Sequence, residues 1–507
     1  MTIKRQTLWN MLPQLVAAAA GIISLPLYLR YLGYEMNAVW LFVAVLSQMF
    51  GFADLGLGMA VGRYVGVALG NKDREALQAY WGTGNAIIIP FLAVMAVVFI
   101  LIGVWLGPKW YKVSLENVYL LRECFVAAGF GLFFSYYSQY WNILAQAHLD
   151  FKFVGILRVG CTLAQIIPTI ILAKLTGNPF LLVVWSVFIA LLQLLIFVWH
   201  GRKHYELGFH FRSARLARAK EMSTYIGKNF LGLIVSSVLG QIDRVVLGRF
   251  ATSAAFVNYT WAGNIGSRLS GLSVSVMGPV FFNSACVGGD RNVSTAKVYD
   301  ETFGFVFEWY LLAAFWIGIW HPVLLRLWLT HSMGATMGME TATRVGPLLV
   351  PLVIAYCFMS VSNISNAQLA SINRLGTAII FNVIGGLLAM IGVLIGWHLM
   401  GAVGAACGFL FARIANVAQD LFAIHLIKAG GWLDVRTWKK MVAQGLIAAA
   451  FASGYLFWHA NSYWLLIPAL LHGGLVAAWL LRRSIRRLID SLVFSKVRAG
   501  SRSQKSK

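Results

Sequence analysis

Apolar runs recur along the whole chain and are separated by short polar connections. A helix that crosses the hydrocarbon core of a bilayer needs about 20 largely apolar residues. Fourteen runs meet this requirement, near 8–29, 38–60, 81–106, 118–145, 154–174, 179–199, 226–248, 254–282, 301–320, 345–370, 376–399, 402–427, 439–459 and 463–482. The pattern predicts an all-α polytopic membrane protein of about fourteen transmembrane helices.

Composition supports this prediction. Hydrophobic residues make up 59% of the 507 residues and charged residues only 12%, whereas soluble proteins carry roughly 25% charged residues. The five cysteines lie in or near apolar segments without a metal-ligand spacing, so we interpret them as packing residues and predict no metal site.

The placement of the basic residues predicts the orientation. A formal charge of +23 could indicate nucleic-acid binding, but the basic residues cluster just beyond the ends of the apolar runs. This is the positive-inside pattern of a membrane protein, and the Trp and Tyr residues near those ends resemble aromatic belts. We therefore expect both termini in the cytoplasm and no nucleic-acid partner. The basic tail is expected to contact anionic membrane lipids.

A basic connection near the middle of the chain divides it into two bundles. The predicted organisation is an N-terminal six-helix bundle, a cytoplasmic basic linker, a C-terminal six-helix bundle, two additional transmembrane helices and a basic cytoplasmic tail, at 1–200, 201–225, 226–428, 429–482 and 483–507. The outside connections are short, and the longest is predicted at 321–344.

Short motifs suggest that the two bundles are repeats. Leu32-Gly33 and Leu247-Gly248 each lie beside an aromatic-rich span, six helices apart. An even number of helices gives both copies the same orientation, as in transporters with parallel repeats. Chance similarity between apolar sequences is the alternative.

Three segments carry a family resemblance. LPLYLRYLGYE at 25–35, ADLGLG at 53–58 and QIDRVVLG at 241–248 resemble the polysaccharide and O-antigen flippases of the multidrug/oligosaccharidyl-lipid/polysaccharide exporter superfamily. Many such flippases have twelve helices. The additional pair here is similar to the lipid II flippase branch, so the subfamily stays open.

The resemblance implies a MATE-like fold and a non-enzymatic function. Its implied substrate is an undecaprenyl-pyrophosphate-linked oligosaccharide, moved from the cytoplasmic to the outer leaflet of the cell inner membrane by alternating access for polysaccharide biosynthesis. An H⁺ or Na⁺ gradient is the implied driver, with no other cofactor. A polysaccharide polymerase and glycosyltransferases are the implied partners.

Charged residues inside spans are candidates for substrate binding, because they are retained mainly where they face a cavity or a partner. Arg268 has Asn264 on its helical face, and Arg413 has Asn416 on its own. Arginine suits a pyrophosphate because its planar donors bind pairs of oxygens. The alternative for both is an ion-paired strut. Arg63 is expected at the cytoplasmic rim, where it captures phosphate or anchors in headgroups.

Other charged residues are candidates for ion coupling or gating. Asp54, Glu308 and Asp420 are carboxylates in or near spans, and desolvation would favour their protonated forms. Polar packing or a salt bridge is the alternative for each. Asp243 and Arg244 are adjacent, about 100° apart on a helix, so we expect them to bind other helices instead of each other.

Alternative functions remain at this point. A multidrug or cation antiporter of the same superfamily would have a more apolar and acidic site. A membrane glycan polymerase or ligase would need a substantial outside segment, and a non-transporting scaffold is a further alternative. The sequence contains no Walker A, H-E-x-x-H or G-x-S-x-G motif, so no catalytic residue is predicted.

Overall fold

The computed structural model describes residues 3–51, 57–111, 114–268, 295–371 and 374–427. Every regular element in these ranges is helical, as predicted. The additional helices predicted at 429–482 and the tail at 483–507 lie outside the described residues, so the total of fourteen spans stays a prediction.

The first half of the chain forms seven helices. These are α1 Ile3–Met49, α2 Leu57–Gly70, α3 Arg74–Trp105, the short α4 Gly107–Trp110, α5 Val118–Ala147, α6 Phe151–Thr176 and α7 Pro179–His204.

The second half also contributes seven helices to the described residues. Its helices are α8 Leu216–Leu239, α9 Ile242–Phe250, α10 at 253–268, α11 Thr295–Met333, α12 Ala335–Ser371, α13 Leu375–Phe411 and α14 Ile414–Ile427.

Seven helices within the described ranges are long and apolar enough to cross a membrane. An eighth is obtained if Val306–Ala314 and Trp316–Met333, bent by 43° at a short break, count as one span. The chain is therefore a multi-pass membrane protein.

Side chains at the ends of the apolar runs set several helix boundaries. The Asp73 carboxylate accepts from the backbone N–H of Ala76 at 2.9 Å, which caps α3. Gly177, with a φ of 60°, ends α6 in the left-handed conformation. Asn178 then accepts from the Phe180 N–H at 2.9 Å and starts α7.

Gly33 divides the first long helix. The span predicted at 8–29 and the part of the next span up to Met49 form one helix interrupted at Gly33, whose φ of 69° is accessible mainly to glycine. The corresponding motif of the second half behaves differently. Gly248 is helical within α9, where an added Cβ would lie 3.0 Å from the Phe42 ring, and α9 continues to Phe250.

Two predicted connections are largely helical. Residues 321–344 belong mostly to α11 and α12, which meet at Gly334. Within the linker predicted at 201–225, α7 continues to His204 and α8 begins at Leu216. Extramembrane polar residues therefore continue these helices, which an apolar-run criterion cannot detect.

The segment at 205–215, here called the docked linker, lies along α3. The Trp81 indole N–H donates to the Gly208 carbonyl at 2.7 Å, and the Arg215 N–H donates to the Thr83 hydroxyl at 3.0 Å. Gly82 permits this approach, because a Cβ there would lie 2.2 Å from the His210 carbonyl oxygen. The docked linker is thus packed on the first half.

Candidate functional site

A cavity of about 450 Å³ lies between the two halves. This volume is within the range of about 300–1,000 Å³ typical of small-molecule sites. Its polar lining residues are Gln14, Gln48, Arg244, Thr260, Asn264, Ser267 and Arg268. Its other lining residues are Ala18, Trp40, Leu41, Ala44 and Val45. No carboxylate is among these described lining residues.

Helical spacing explains which side chains face the cavity. On α10, Thr260, Asn264 and Arg268 follow one another at intervals of four and share one face. On α1, Trp40 and Gln48 share a face in the same way. The predicted pair Arg268 and Asn264 therefore lies together in the cavity.

Arg268 is the cavity residue whose charged group is most accessible to a ligand. Its side chain is exposed to the cavity. The guanidinium group lies close to α1, because an added Cβ on Gly21 would be 3.1 Å from its Nη2 atom. Within the described part of the chain, this guanidinium has neither a hydrogen bond nor an ion pair.

Arg244 also lines the cavity, although it was predicted as a coupling or gating residue. Its Nη1 donates to the Gln241 side-chain oxygen at 3.2 Å and its Nη2 to the Tyr356 hydroxyl at 3.0 Å. The buried Nε atom has no partner among the described residues. Gly263 gives the group room, since a Cβ there would lie 3.0 Å from Nη2. Arg244 is thus a fixed second cation beside the cavity.

Asp243 points elsewhere. Its Oδ2 accepts from the Tyr259 hydroxyl at 3.0 Å, and the side chain is buried. Their hydrogen-bond partners on other helices are Tyr259 of α10 and Tyr356 of α12, and Arg244 also binds Gln241 beside its own helix. Their opposite charges still interact electrostatically.

Arg413 is not one of the lining residues of the cavity. It precedes the first residue of α14 and is 7% exposed. Its Nε donates to the Phe409 carbonyl at 3.3 Å, and the guanidinium lies 4.4 Å from the centre of the Phe409 ring. It also interacts electrostatically with Asp243. Arg413 is therefore not a lining residue of this cavity, unlike the prediction, and it has no ion pair among the described residues that would make it the ion-paired strut of the alternative.

Asp420 belongs to a separate polar cluster. The Ser365 hydroxyl donates to its Oδ1 at 2.6 Å and the Ser362 hydroxyl to its Oδ2 at 2.9 Å. Tyr299 from α11 shares a hydrogen bond of 2.8 Å with Ser365. The Asn416 carbonyl accepts from Ser362 at 3.3 Å. Asn416 and Asp420 therefore share a face toward α12.

The structure describes the remaining predicted residues less fully. Glu308 is buried within α11, at 3% exposure. Arg63 lies in α2, and its side chain is outside the described set. Asp54 lies outside the described residues.

An aromatic cluster closes the cavity toward the predicted outer side. It consists of Phe42, Tyr111, Phe125 and Phe256, all buried. The Phe42 and Tyr111 rings are stacked with centroids 4.9 Å apart, and the Tyr111 and Phe256 centroids are 5.7 Å apart. This outer aromatic cluster joins the two halves.

Polar contacts reinforce the closure. Tyr111 donates to the Ser253 hydroxyl at 3.1 Å, and burial raises the pKa of this tyrosine to about 12, so it stays protonated. The Trp110 indole N–H donates to the Val245 carbonyl at 2.9 Å. Arg30 donates to the Ser332 carbonyl at 3.0 Å. These contacts join the two halves at the predicted outer side.

The sequence-based prediction missed several cavity residues. Trp40, Gln48, Thr260 and Ser267 were not candidates, because uncharged polar and aromatic residues are common in membrane helices. The signal that could have found them is their spacing of four or seven residues along apolar helices.

A helical membrane bundle in two halves, with a polar cavity between them, is an architecture that many membrane transporters share. The sequence profile of the polysaccharide biosynthesis protein family matches residues 3–284. The chain belongs to this family. The family resemblance drawn from the sequence is confirmed.

One curated relative is similar to this chain in sequence. The lipopolysaccharide biosynthesis protein WzxC of Escherichia coli K12 is 23% identical over 294 residues, which cover 57% of this chain and 56% of WzxC. The chain thus matches only about half the length of that relative.

The structural similarity covers nearly the whole chain. The lipid II flippase MurJ in an inward closed conformation has a TM-score of 0.70 at 15% identity, covering 95% of this chain and 99% of MurJ. An inward-facing MATE family transporter of the MOP superfamily has a TM-score of 0.63 at 16% identity, covering 84% of this chain and 95% of that one. At such identities the likeness establishes the fold.

Proposed function

We propose that the protein is a flippase that moves a polyprenyl-pyrophosphate-linked oligosaccharide from the cytoplasmic to the outer leaflet of the inner membrane. It works by alternating access and performs no covalent chemistry. The observation that carries this proposal is Arg268, a cation inside the bilayer that faces the cavity without a partner among the described residues. A mid-membrane charge costs roughly 2.5–3.5 kcal/mol on insertion scales, so its retention indicates an anionic ligand.

The charge of the cavity favours this substrate over the antiporter alternative. Arg244 and Arg268 line it together with amides and hydroxyls, and the described lining contains no acidic side chain to attract an organic cation. Guanidinium groups match the paired oxygens of a pyrophosphate. The MATE-like fold and the family membership support transport over glycan polymerisation or ligation.

The polyprenyl tail remains in the lipid while the headgroup crosses through the cavity. Each tail methylene is stabilised in hydrocarbon by roughly 0.8 kcal/mol, so the tail has no driving force to leave the bilayer. Moving two negative charges outward is favoured by about 4.6 kcal/mol per 100 mV of inside-negative potential.

An ion gradient completes the cycle. Asp420 is the best placed coupling residue, because it is a buried carboxylate held only by hydroxyl groups in the described structure. Glu308, Asp243 and Asp54 are further candidates, with H⁺ or Na⁺ as the ion.

The test is flipping of a polyprenyl-pyrophosphate glycan in proteoliposomes at a clamped potential. Arg268→Glu should abolish flipping, because it places an anion where the pyrophosphate binds, while insertion and folding persist. Arg122→Glu is the matched control, since Arg122 is exposed at the outer part of α5, away from the cavity. Wild-type rates in Arg268→Glu would refute the anion-binding role, and equal rates at all potentials would refute the charge-carrying step.

A further inference from the structure

The cavity has two levels along the membrane normal. Both the second segment of α1 and helix α10 begin at the predicted outer side. At a rise of 1.5 Å per residue, Trp40 and Thr260 lie about 10 Å from these outer ends, whereas Gln48 and Arg268 lie about 22 Å from them. Arg244 lies about 9 Å from the outer end of α9. We call Trp40, Arg244 and Thr260 the outer level of the cavity, and Gln48 and Arg268 its inner level.

The two levels differ in chemistry. The inner level has the guanidinium of Arg268, which has no partner among the described residues, together with the amide of Gln48. The outer level combines an indole ring with a hydroxyl and with a guanidinium that Tyr356 and Gln241 hold in place. The separation of about 12 Å along the helices is long enough for a pyrophosphate and the sugar that follows it.

The structure holds the Trp40 ring in a defined position. Tyr28 packs against it edge to face, with centroids 4.5 Å apart. The Tyr28 hydroxyl is fixed in turn by a 2.6 Å hydrogen bond with Thr169 of α6. Trp40 is partly exposed and lines the cavity. Its indole N–H has no partner within the described residues, so this donor is available to a ligand.

We propose that the outer level is a sugar subsite in which Trp40 stacks on the first pyranose ring of the substrate, an inference that rests on the function proposed above. One face of a pyranose presents C–H groups with partial positive charge, which pack favourably on the negative face of an aromatic ring. Ring hydroxyls then bind the indole N–H, Thr260 and Arg244. Arg268 at the inner level holds the pyrophosphate. Trp40 thereby makes the protein prefer glycosylated over bare polyprenyl pyrophosphate.

The experiment measures lipid binding by the full-length protein in nanodiscs. Three probes are used: undecaprenyl pyrophosphate, and the same lipid carrying one N-acetylhexosamine or one hexose. The wild type should bind at least one sugar-bearing probe about fivefold more tightly than the bare lipid. Trp40→Ala should abolish this preference and leave the Kd for the bare lipid within about twofold of the wild-type value. Trp40→Phe keeps an aromatic face and should retain most of the preference.

Two further variants separate the possible outcomes. Arg268→Gln should weaken binding of bare and glycosylated lipid by the same factor, because it removes a phosphate contact. Trp105→Ala is the matched control, since Trp105 lies at the end of α3 with 72% of its surface exposed, and it should change nothing.

Three results would overturn the inference. If the wild type binds all probes equally, the sugar subsite is wrong and the flippase proposal stands. If Trp40→Ala loses the bare lipid as well, Trp40 supports the fold instead of the sugar. If the wild type binds no probe at all, the proposed function fails together with the subsite.

Discussion

Replacing Asp420 with asparagine should uncouple transport from the ion gradient without unfolding the protein. Asp420 is 7% exposed and accepts hydrogen bonds from Ser362 and Ser365. No ion-pair partner contacts it in the described part of the chain. Asparagine has nearly the same shape and mimics the protonated carboxyl group, so Asp420→Asn removes only the ability to gain and lose a charge.

The energies explain why this site is suited to ion exchange. Each hydrogen bond to a charged group contributes about 1.5–3 kcal/mol, so the two hydroxyls stabilise the carboxylate by about 3–6 kcal/mol. Burying the charge costs several kcal/mol. These opposing contributions are similar in size, so the charged and neutral forms are close in free energy. The asparagine oxygen accepts from one hydroxyl and its N–H group donates to the other, so both contacts remain and we expect the free energy of unfolding to change by no more than about 1 kcal/mol.

The assay imposes a pH gradient across proteoliposomes at zero potential and follows the glycolipid between leaflets. One proton per cycle is worth about 1.36 kcal/mol per pH unit, so the wild-type leaflet ratio should change about tenfold per pH unit. Asp420→Asn should show no response. A Na⁺ gradient in the same vesicles identifies the ion if the wild type responds to sodium instead.

The control is Glu340→Gln, which neutralises an exposed carboxylate on α12 that pairs with Arg344 at 2.6 Å. This variant should respond to the gradient like the wild type. An undiminished response in Asp420→Asn to whichever ion drives the wild type would refute a coupling role for Asp420.

Two further predictions concern the outer closure and helix packing. Tyr111→Ala removes the stacking on Phe42 and the hydrogen bond to Ser253, so it should open the outer side. In a cysteine-free background, an impermeant maleimide added outside should label Ala44→Cys several times faster when Tyr111→Ala is present, and an unchanged rate would contradict the closure. Gly396→Leu should abolish folding, because a Cβ there would lie 2.0 Å from the Gly404 carbonyl oxygen. Gly376→Leu, whose Cβ would meet nothing within 4 Å, should still elute as a single species in detergent, and a normal profile for both would refute the close packing.

The sequence was informative about membrane insertion and about isolated charges. Apolar runs located the described spans because hydropathy reflects the bilayer directly, and Arg268 with Asn264 emerged because charge in a span is rare. The sequence could not show which helices face one another. For that reason Arg413 was predicted in the cavity, whereas the structure packs it against Phe409 at the junction of α13 and α14, away from the lining residues. Trp40 was missed for the converse reason, because a tryptophan is common in apolar helices and only its spacing from other polar positions distinguishes it.

The docked linker has a practical consequence for engineering the protein. Its contacts with Trp81 and Thr83 and its close approach to Gly82 make it part of the surface of the first half. A reporter domain inserted within 205–215 would displace these contacts. Gly334, by contrast, joins α11 and α12 at an exposed position and has open space around it. Fusions and epitope tags should therefore be tolerated at Gly334. If the protein is split into two co-expressed fragments, they should reassemble only when the N-terminal fragment retains the docked linker.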